Sequence, residues 1–184
     1  MLRPEDFFDL SQTQFKGLFD DTEYVWDALK KIKEYIRGNI EPNVSGIRRG
    51  KAFIRKTVVL YGDDIVESEF DISFKKKKLI ITKDNKILDG ASVVYEGAVL
   101  MDDEIHIGKG TVIEPGVLIK GPAIIGDNTG LRHGAYLRGN TLVGNDCVVG
   151  HTTELKSSVM LGGSKAGHFA YIGDSILGKV NLGA

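Results

Sequence analysis

The sequence predicts a mainly β protein, a single-stranded parallel β-helix preceded by a helical segment, on three observations. An aliphatic residue recurs every six positions: Ile107, Ile113, Ile119, Ile125, Leu131, Leu137, Val143, Val149, Leu155 and Leu161. Four places after each comes something small or compact: Thr111, Val117, Ala123, Thr129, Ala135, Thr141, Cys147, Thr153 and Val159. The chain also carries 23 glycines against 4 prolines, and many of the glycines fall where this period requires a corner. With roughly a quarter of the residues Ile, Leu or Val, ten hits in register arise by chance on the order of once in a million, and the period is that of hexapeptide β-helices. Six is neither the 3.6 of a helix nor alternation continued through a hairpin. It suits a short extended side followed by a corner, with one bulky and one small residue turned inward.

Residues 1–50 read as a helical segment. Asp20, Asp21 and Thr22 offer N-cap oxygens, Val25, Leu29, Ile32 and Ile36 follow helical spacing, and Gly38-Asn39 provides a stop. Ahead of them, Phe7, Phe8, Leu10, Phe15, Leu18 and Phe19 form an apolar entry. This segment is expected to cap the end of the β-helix, the alternative being a partner or subunit contact. Residues 51–86 read as irregular β structure, with strands near Phe53-Ile54, Thr57–Tyr61, Phe70–Phe74 and Leu79–Thr82. Lys75–Lys78 reads as a solvated turn or guarded edge, with phosphate binding as its alternative. Residues 87–184 are assigned to the β-helix, with a loop or bulge at Met101–His106 where the register slips.

A formal net charge of −1 provides no field to gather nucleic acid or an anionic membrane. No apolar run approaches a membrane span, and Met1-Leu-Arg-Pro-Glu-Asp lacks the apolar core of a signal peptide. Cys147 is the only cysteine; it sits on a small inward position, which predicts a packed, inert thiol in a reducing, cytoplasmic compartment. His106, His133 and His151 lack metal-ligand spacing and are expected at corners or subunit contacts; no metal site is expected.

The spacing fails after Leu161. The next anchor, Ile172, is one residue short of two further repeats, and Gly162–Tyr171 lies between. Local rules tend to fail where a protein is shaped for function, so His168 and Tyr171 become the first candidate site residues.

The stretch Ser164-Lys-Ala-Gly-His-Phe-Ala-Tyr-Ile-Gly-Asp174, continuing to Val180-Asn-Leu-Gly-Ala184, resembles the acetyltransferase half of the bifunctional N-acetylglucosamine-1-phosphate uridylyltransferase/glucosamine-1-phosphate acetyltransferase. The likeness covers about residues 107–184. It implies a left-handed β-helix, a homotrimer with active sites between subunits, acetyl-CoA or another acyl-CoA as donor, and a sugar-phosphate substrate. By the same resemblance His168 is the general base toward the amine, Lys156 the sugar-phosphate lysine and Tyr171 a substrate contact. Arg132 matches the phosphate-binding arginine by local motif and Arg138 by its distance from Lys156; both stand. Asn181 matches a substrate-binding asparagine, one residue closer to His168 than in that family. The family's Asn-Tyr-Asp-Gly motif and its acetyl-CoA repeats would fall after Ala184.

The front of the chain and the repeat Ile113-Glu-Pro-Gly-Val-Leu-Ile-Lys-Gly-Pro-Ala-Ile-Ile-Gly126 resemble short proteins grouped with sugar nucleotidyltransferases. Those hold the β-helix without a nucleotidyl-transferring domain, and no glycine-rich nucleotide loop is present here. Two functional classes follow. One is an acetyl-CoA-dependent N-acetyltransferase acting on an amino sugar 1-phosphate in nucleotide-sugar biosynthesis. The other is a non-catalytic oligomerisation or regulatory β-helix. Zinc hydration chemistry, as in β-helical carbonic anhydrases, would need convergent histidines, and no two here stand a few residues apart.

Overall fold

The computed structural model describes residues 2–76 and 78–183. Its body is the left-handed parallel β-helix that the six-residue period predicts, a solenoid of about five coils whose strands form three parallel walls. Wall 1 runs through Ser92–Val94, Val112–Ile113, Gly130–Leu131, Val148–His151, Lys165–His168 and Asn181–Leu182. Wall 2 runs through Val99–Leu100, Leu118–Lys120, Tyr136–Arg138, Glu154–Lys156 and Tyr171–Gly173. Wall 3 runs through Ile105–Ile107, Ala123–Ile125, Thr141–Val143, Val159–Met160 and Ile176–Leu177. In the middle coils each residue faces one eighteen positions away, as Leu131 faces Ile113 and Val149.

The six-spaced aliphatics from Ile113 to Leu155 fill the axis with no exposed surface. Beside them the small inward residues before wall 1 form a ladder. Ser92, Thr111 and Thr129 each donate a hydroxyl hydrogen bond, at 2.6, 2.7 and 2.8 Å, to the corner carbonyl one coil on. Each also accepts the amide hydrogen of the ladder residue above it, at 3.1 Å. Buried backbone at a tight corner is satisfied in this way. Cys147 takes the fourth rung, its Sγ 3.3 Å from the Leu161 carbonyl. Burial pushes its thiol up to about 11, the inert state expected of a packed cysteine.

The inward assignment of Leu161 and Val159 is corrected. Met160, not Leu161, pairs with Val143, seventeen residues away, and Val159 is buried outward, in the cluster under the N-terminal segment, leaving Ser158 as the small residue of that corner. One residue is missing from the corner at 156–159. The Ser158 hydroxyl stands in for it, donating to the carbonyls of Lys156 and Ile172 at 2.7 and 3.2 Å and accepting from the Ser175 amide at 3.1 Å. From there Met160, Ala166 and Ile172 keep the six-residue step inside the core. The break therefore lies before Leu161, and Gly162–Tyr171 is regular solenoid.

The slip at 101–106 is a one-residue insertion: Leu100 faces Ile119, nineteen away, whereas Ile107 faces Ile125, eighteen away. Buried Arg48 clamps this corner. Its Nε donates to the Leu100 carbonyl at 2.8 Å, its Nη2 to Met101 at 3.1 Å, and its Nη1 pairs with Asp103.

The main helix does not cap the end. The main helix spans Asp27–Asn39, and with Phe15, Leu18 and Phe19 it buries Ala28, Ile32 and Ile36 on the outer face of wall 3, against Ile124, Leu142, Val159 and Leu161. It begins later than Asp20–Thr22 suggest, because the Thr22 hydroxyl donates back to the Phe19 carbonyl and closes the preceding turn. The solenoid's first coil is closed instead by residues 43–61. Asn43 exchanges hydrogen bonds with the backbone of Ile107 on wall 3, Ile54 pairs with Gly97 and Ala98 beside wall 2, and Val58–Leu60 lies antiparallel to Ser92–Val94 of wall 1. All three edges of that coil are thereby paired.

A three-stranded antiparallel sheet, Phe70–Lys75, Lys78–Lys83 and Lys86–Ile87, packs Phe70, Ile72, Leu79 and Ile81 over Val59 and Val93. Lys75, Lys76 and Lys78 form an exposed hairpin tip; the remaining member of the run, Lys77, lies outside the described residues.

Candidate functional site

Wall 2 turns polar and aromatic side chains outward in its later coils. Tyr136, Glu154 and Tyr171 stand in register, and Lys120, Arg138 and Lys156 lie two residues beyond Leu118, Tyr136 and Glu154 on the same strands. Adjacent coils bring these groups within reach of one another. Arg138 Nη1 donates to Glu154 Oε1 at 2.7 Å, and Lys156 Nζ donates to Asp174 Oδ2 at 2.9 Å. Lys120 Nζ lies 5.5 Å from the centroid of the Tyr136 ring, within cation–π range. The hydrogen bond that Arg138 donates to Glu154 holds its guanidinium above the ordinary range, and the one that Lys156 donates to Asp174 does the same for its ammonium. Three cations against two carboxylates leave this face net positive.

A second column rises at the corner between walls 1 and 2. The His133 and His151 rings stack at 5.6 Å with planes 13° apart, and Phe169 meets His151 edge-on at 5.3 Å. Each stacked imidazole has Nδ1 against a backbone carbonyl, His133 against Pro115 at 2.7 Å and His151 against His133 at 2.9 Å. A carbonyl only accepts, so Nδ1 carries the proton in both rings. His168 ends its wall 1 strand in register with His151, exposed and 5.7 Å ring-to-ring from Phe169.

The six candidate residues thus separate into groups. Lys156, Tyr171 and Arg138 share wall 2. His168 stands at the adjoining corner. Arg132 lies on wall 1 and follows Leu131; the next two residues up that ladder, Val149 and Ala166, are followed by Gly150 and Gly167. A Cβ on Gly150 would collide with the Gly167 carbonyl, so the column between Arg132 and His168 holds no side chain in that register. The Arg132 guanidinium has no hydrogen-bond or ion-pair partner among the described residues, unlike that of Arg138. Asn181 sits at the start of its wall 1 strand, opposite Lys165; that is the other end of the wall from His168, and it is not brought to the group.

Glu154, Asp174 and Phe169 escaped the reading of the sequence as members of this surface. A search at eighteen rather than six residues would have found both columns, 120–138–156 and 133–151–169.

Among the described residues no cluster of His, Cys, Asp and Glu is arranged to hold a metal ion, and no helix is long and apolar enough to cross a membrane. The family model for bacterial transferase hexapeptide (six repeats) matches residues 104–139. With the solenoid, that match supports a hexapeptide-repeat transferase. No curated protein matches the chain.

Proposed function

We propose that the protein is an acyl-CoA-dependent N-acyltransferase of the cytoplasm, most concretely one that transfers acetyl from acetyl-CoA to an amino sugar 1-phosphate. The observation that carries this reading is the net positive ladder on wall 2 next to an exposed histidine at its corner. Lys156 and Arg138 supply donors for a phosphate, Arg138 as a planar fork, and Tyr171 offers a ring and hydroxyl beside them. His168, as neutral imidazole, takes a proton from the attacking ammonium, leaving the amine lone pair free to attack. Arg132, unpaired and on the His168 side, is the second anion-binding candidate; Asn181 is assigned a substrate contact only across a larger assembly.

Neither of the two best-formed cavities of the protomer borders His168. The slot for the pantetheine arm of the acyl-CoA donor is therefore assigned to the contact between copies in a homotrimer. The alternative, a non-catalytic assembly or regulatory module, is favoured by one observation. Both wall 2 cations of the ladder's centre are already neutralised by Glu154 and Asp174.

Acetyl-CoA consumption with glucosamine 1-phosphate separates the two. His168→Ala is expected to lower turnover by about 10²-fold or more, the usual worth of a positioned base. Arg138→Ala raises KM if wall 2 holds the phosphate, and Arg132→Ala does so if the corner holds it. Equal background rates for the unmodified protein and His168→Ala exclude the enzyme.

A further inference from the structure

At the corner between walls 3 and 1, opposite wall 2, the N-terminal segment does not close onto the solenoid. It leaves a cleft of about 630 Å³, inside the range of small-molecule sites. One side is the strap carrying Phe7, Phe8 and Asp9; the other is the corner carrying Asp146, Gly162, Gly163 and Lys179. The strap is seated by Phe8, whose ring lies where a Cβ on Gly178 would have to go. Gly163 adopts φ +78°, so the floor bares backbone where a side chain would be strained.

The chemistry of the lining is specific. Asp9 caps the turn Leu10–Gln12 and is held ionised there: its carboxylate accepts from the Ser11 amide at 3.1 Å, the Ser11 hydroxyl at 2.6 Å and Gln12 Nε2 at 2.5 Å. The Ser11 hydroxyl, first of these, keeps it below the usual carboxylate range. The Asp146 carboxylate and the Lys179 ammonium have no hydrogen-bond or ion-pair partner among the described residues. Two carboxylates against one ammonium repel a phosphate and attract hydrogen-bond donors, an amine above all. The Phe7 ring, 52 % exposed, offers an apolar face beside them, as the C–H face of a pyranose requires.

We propose that this cleft is a second ligand site, selective for an unphosphorylated amino sugar. It is independent of the wall 2 reading, which concerns a phosphorylated sugar on another side of the molecule. The test titrates the full-length, isotope-labelled protein with glucosamine, glucose and glucose 1-phosphate while following backbone amide resonances. Saturable shifts are expected at Gly162, Gly163 and Gly178, with glucosamine tightest and glucose 1-phosphate weakest. Asp146→Asn, at a position of positive φ that Asn tolerates, should weaken glucosamine about tenfold or more, leaving the melting temperature unchanged. Phe7→Ala should weaken glucosamine and glucose alike. Absence of saturation at those glycines, tightest binding by the phosphorylated sugar, or equal glucosamine affinity in Asp146→Asn would each overturn the proposal.

Discussion

Walls 2 and 3 share one interior and have opposite exteriors. Inward, both present fully buried aliphatics, Ile119, Leu137 and Leu155 on one and Ile125, Val143 and Met160 on the other. Outward, wall 3 presents Ile124, Leu142 and Val159, covered by the N-terminal segment, whereas wall 2 presents Tyr136, Arg138, Glu154, Lys156 and Tyr171 with no element of the described chain laid over them. The inward pattern makes the solenoid; the outward pattern decides what each wall is for. Where outward residues are aliphatic the chain supplies its own cover, because leaving them in water forfeits the hydrophobic gain. Where they are charged and aromatic the wall stays open to another molecule.

Substitutions on the two walls should differ accordingly. Ile125→Asp puts an unpaired charge on the axis and is expected to abolish soluble folded protein; a normally folded variant, judged by circular dichroism and gel filtration, would refute the inside–outside assignment for both walls. Leu142→Ala, outward on wall 3 yet fully buried, should cost about 2–5 kcal/mol in urea unfolding. Tyr136→Ala, outward on wall 2, should cost within about 1 kcal/mol. Equal costs would mean that wall 2 is covered in solution.

The interior shared by the walls has its own test at Cys147. Its thiol is pushed by burial from an ordinary 9.0 to about 11. The folded protein thus holds its proton more tightly than the unfolded chain does. The associated stability is fully present below pH 9, falls as pH rises through 9 to 11, and amounts at most to about 3 kcal/mol. Cys147→Thr restores the hydroxyl rung seen at Thr111 and Thr129 and should remove this part of the alkaline loss. Parallel alkaline limbs in the two proteins would show the thiol to be less enclosed than the ladder places it.

The inward half of this architecture was legible because it is strictly local: six residues make one side and one corner, so Ile113 to Leu155 could be counted directly. The shift from Leu161 to Met160 was not, because a serine hydroxyl can replace a backbone residue at a corner, and Ser158 looks no different in sequence from any other serine. The helix over wall 3 was legible as a helix through Val25, Leu29, Ile32 and Ile36. Its docking place was not, since the matching apolar residues Ile124, Leu142 and Leu161 are scattered one per coil. The site was half legible. His168, Lys156 and Tyr171 were singled out by resemblance, but the partners Glu154 and Asp174 lie sixteen and eighteen residues from the cations they neutralise.

That neutralisation makes the smallest and most discriminating prediction. Lys156 and Asp174 form a half-exposed pair, side chains 41 % and 61 % accessible, so Asp174→Asn should leave the melting temperature nearly unchanged. Its effect belongs to binding. The carboxylate is the main reason the Lys156 ammonium is held above its ordinary range, and it competes with any phosphate for the same Nζ. Removing that charge should let Lys156 relax toward ordinary lysine behaviour, still protonated at neutral pH, and tighten glucosamine 1-phosphate severalfold at low salt, with the gain shrinking as ionic strength rises. A weakened affinity would make Asp174 the group that positions Lys156 for its ligand. An unchanged affinity would remove Lys156 from the phosphate site and leave Arg138 on wall 2 and Arg132 on wall 1 as the candidate anion anchors, which their separate alanine variants distinguish.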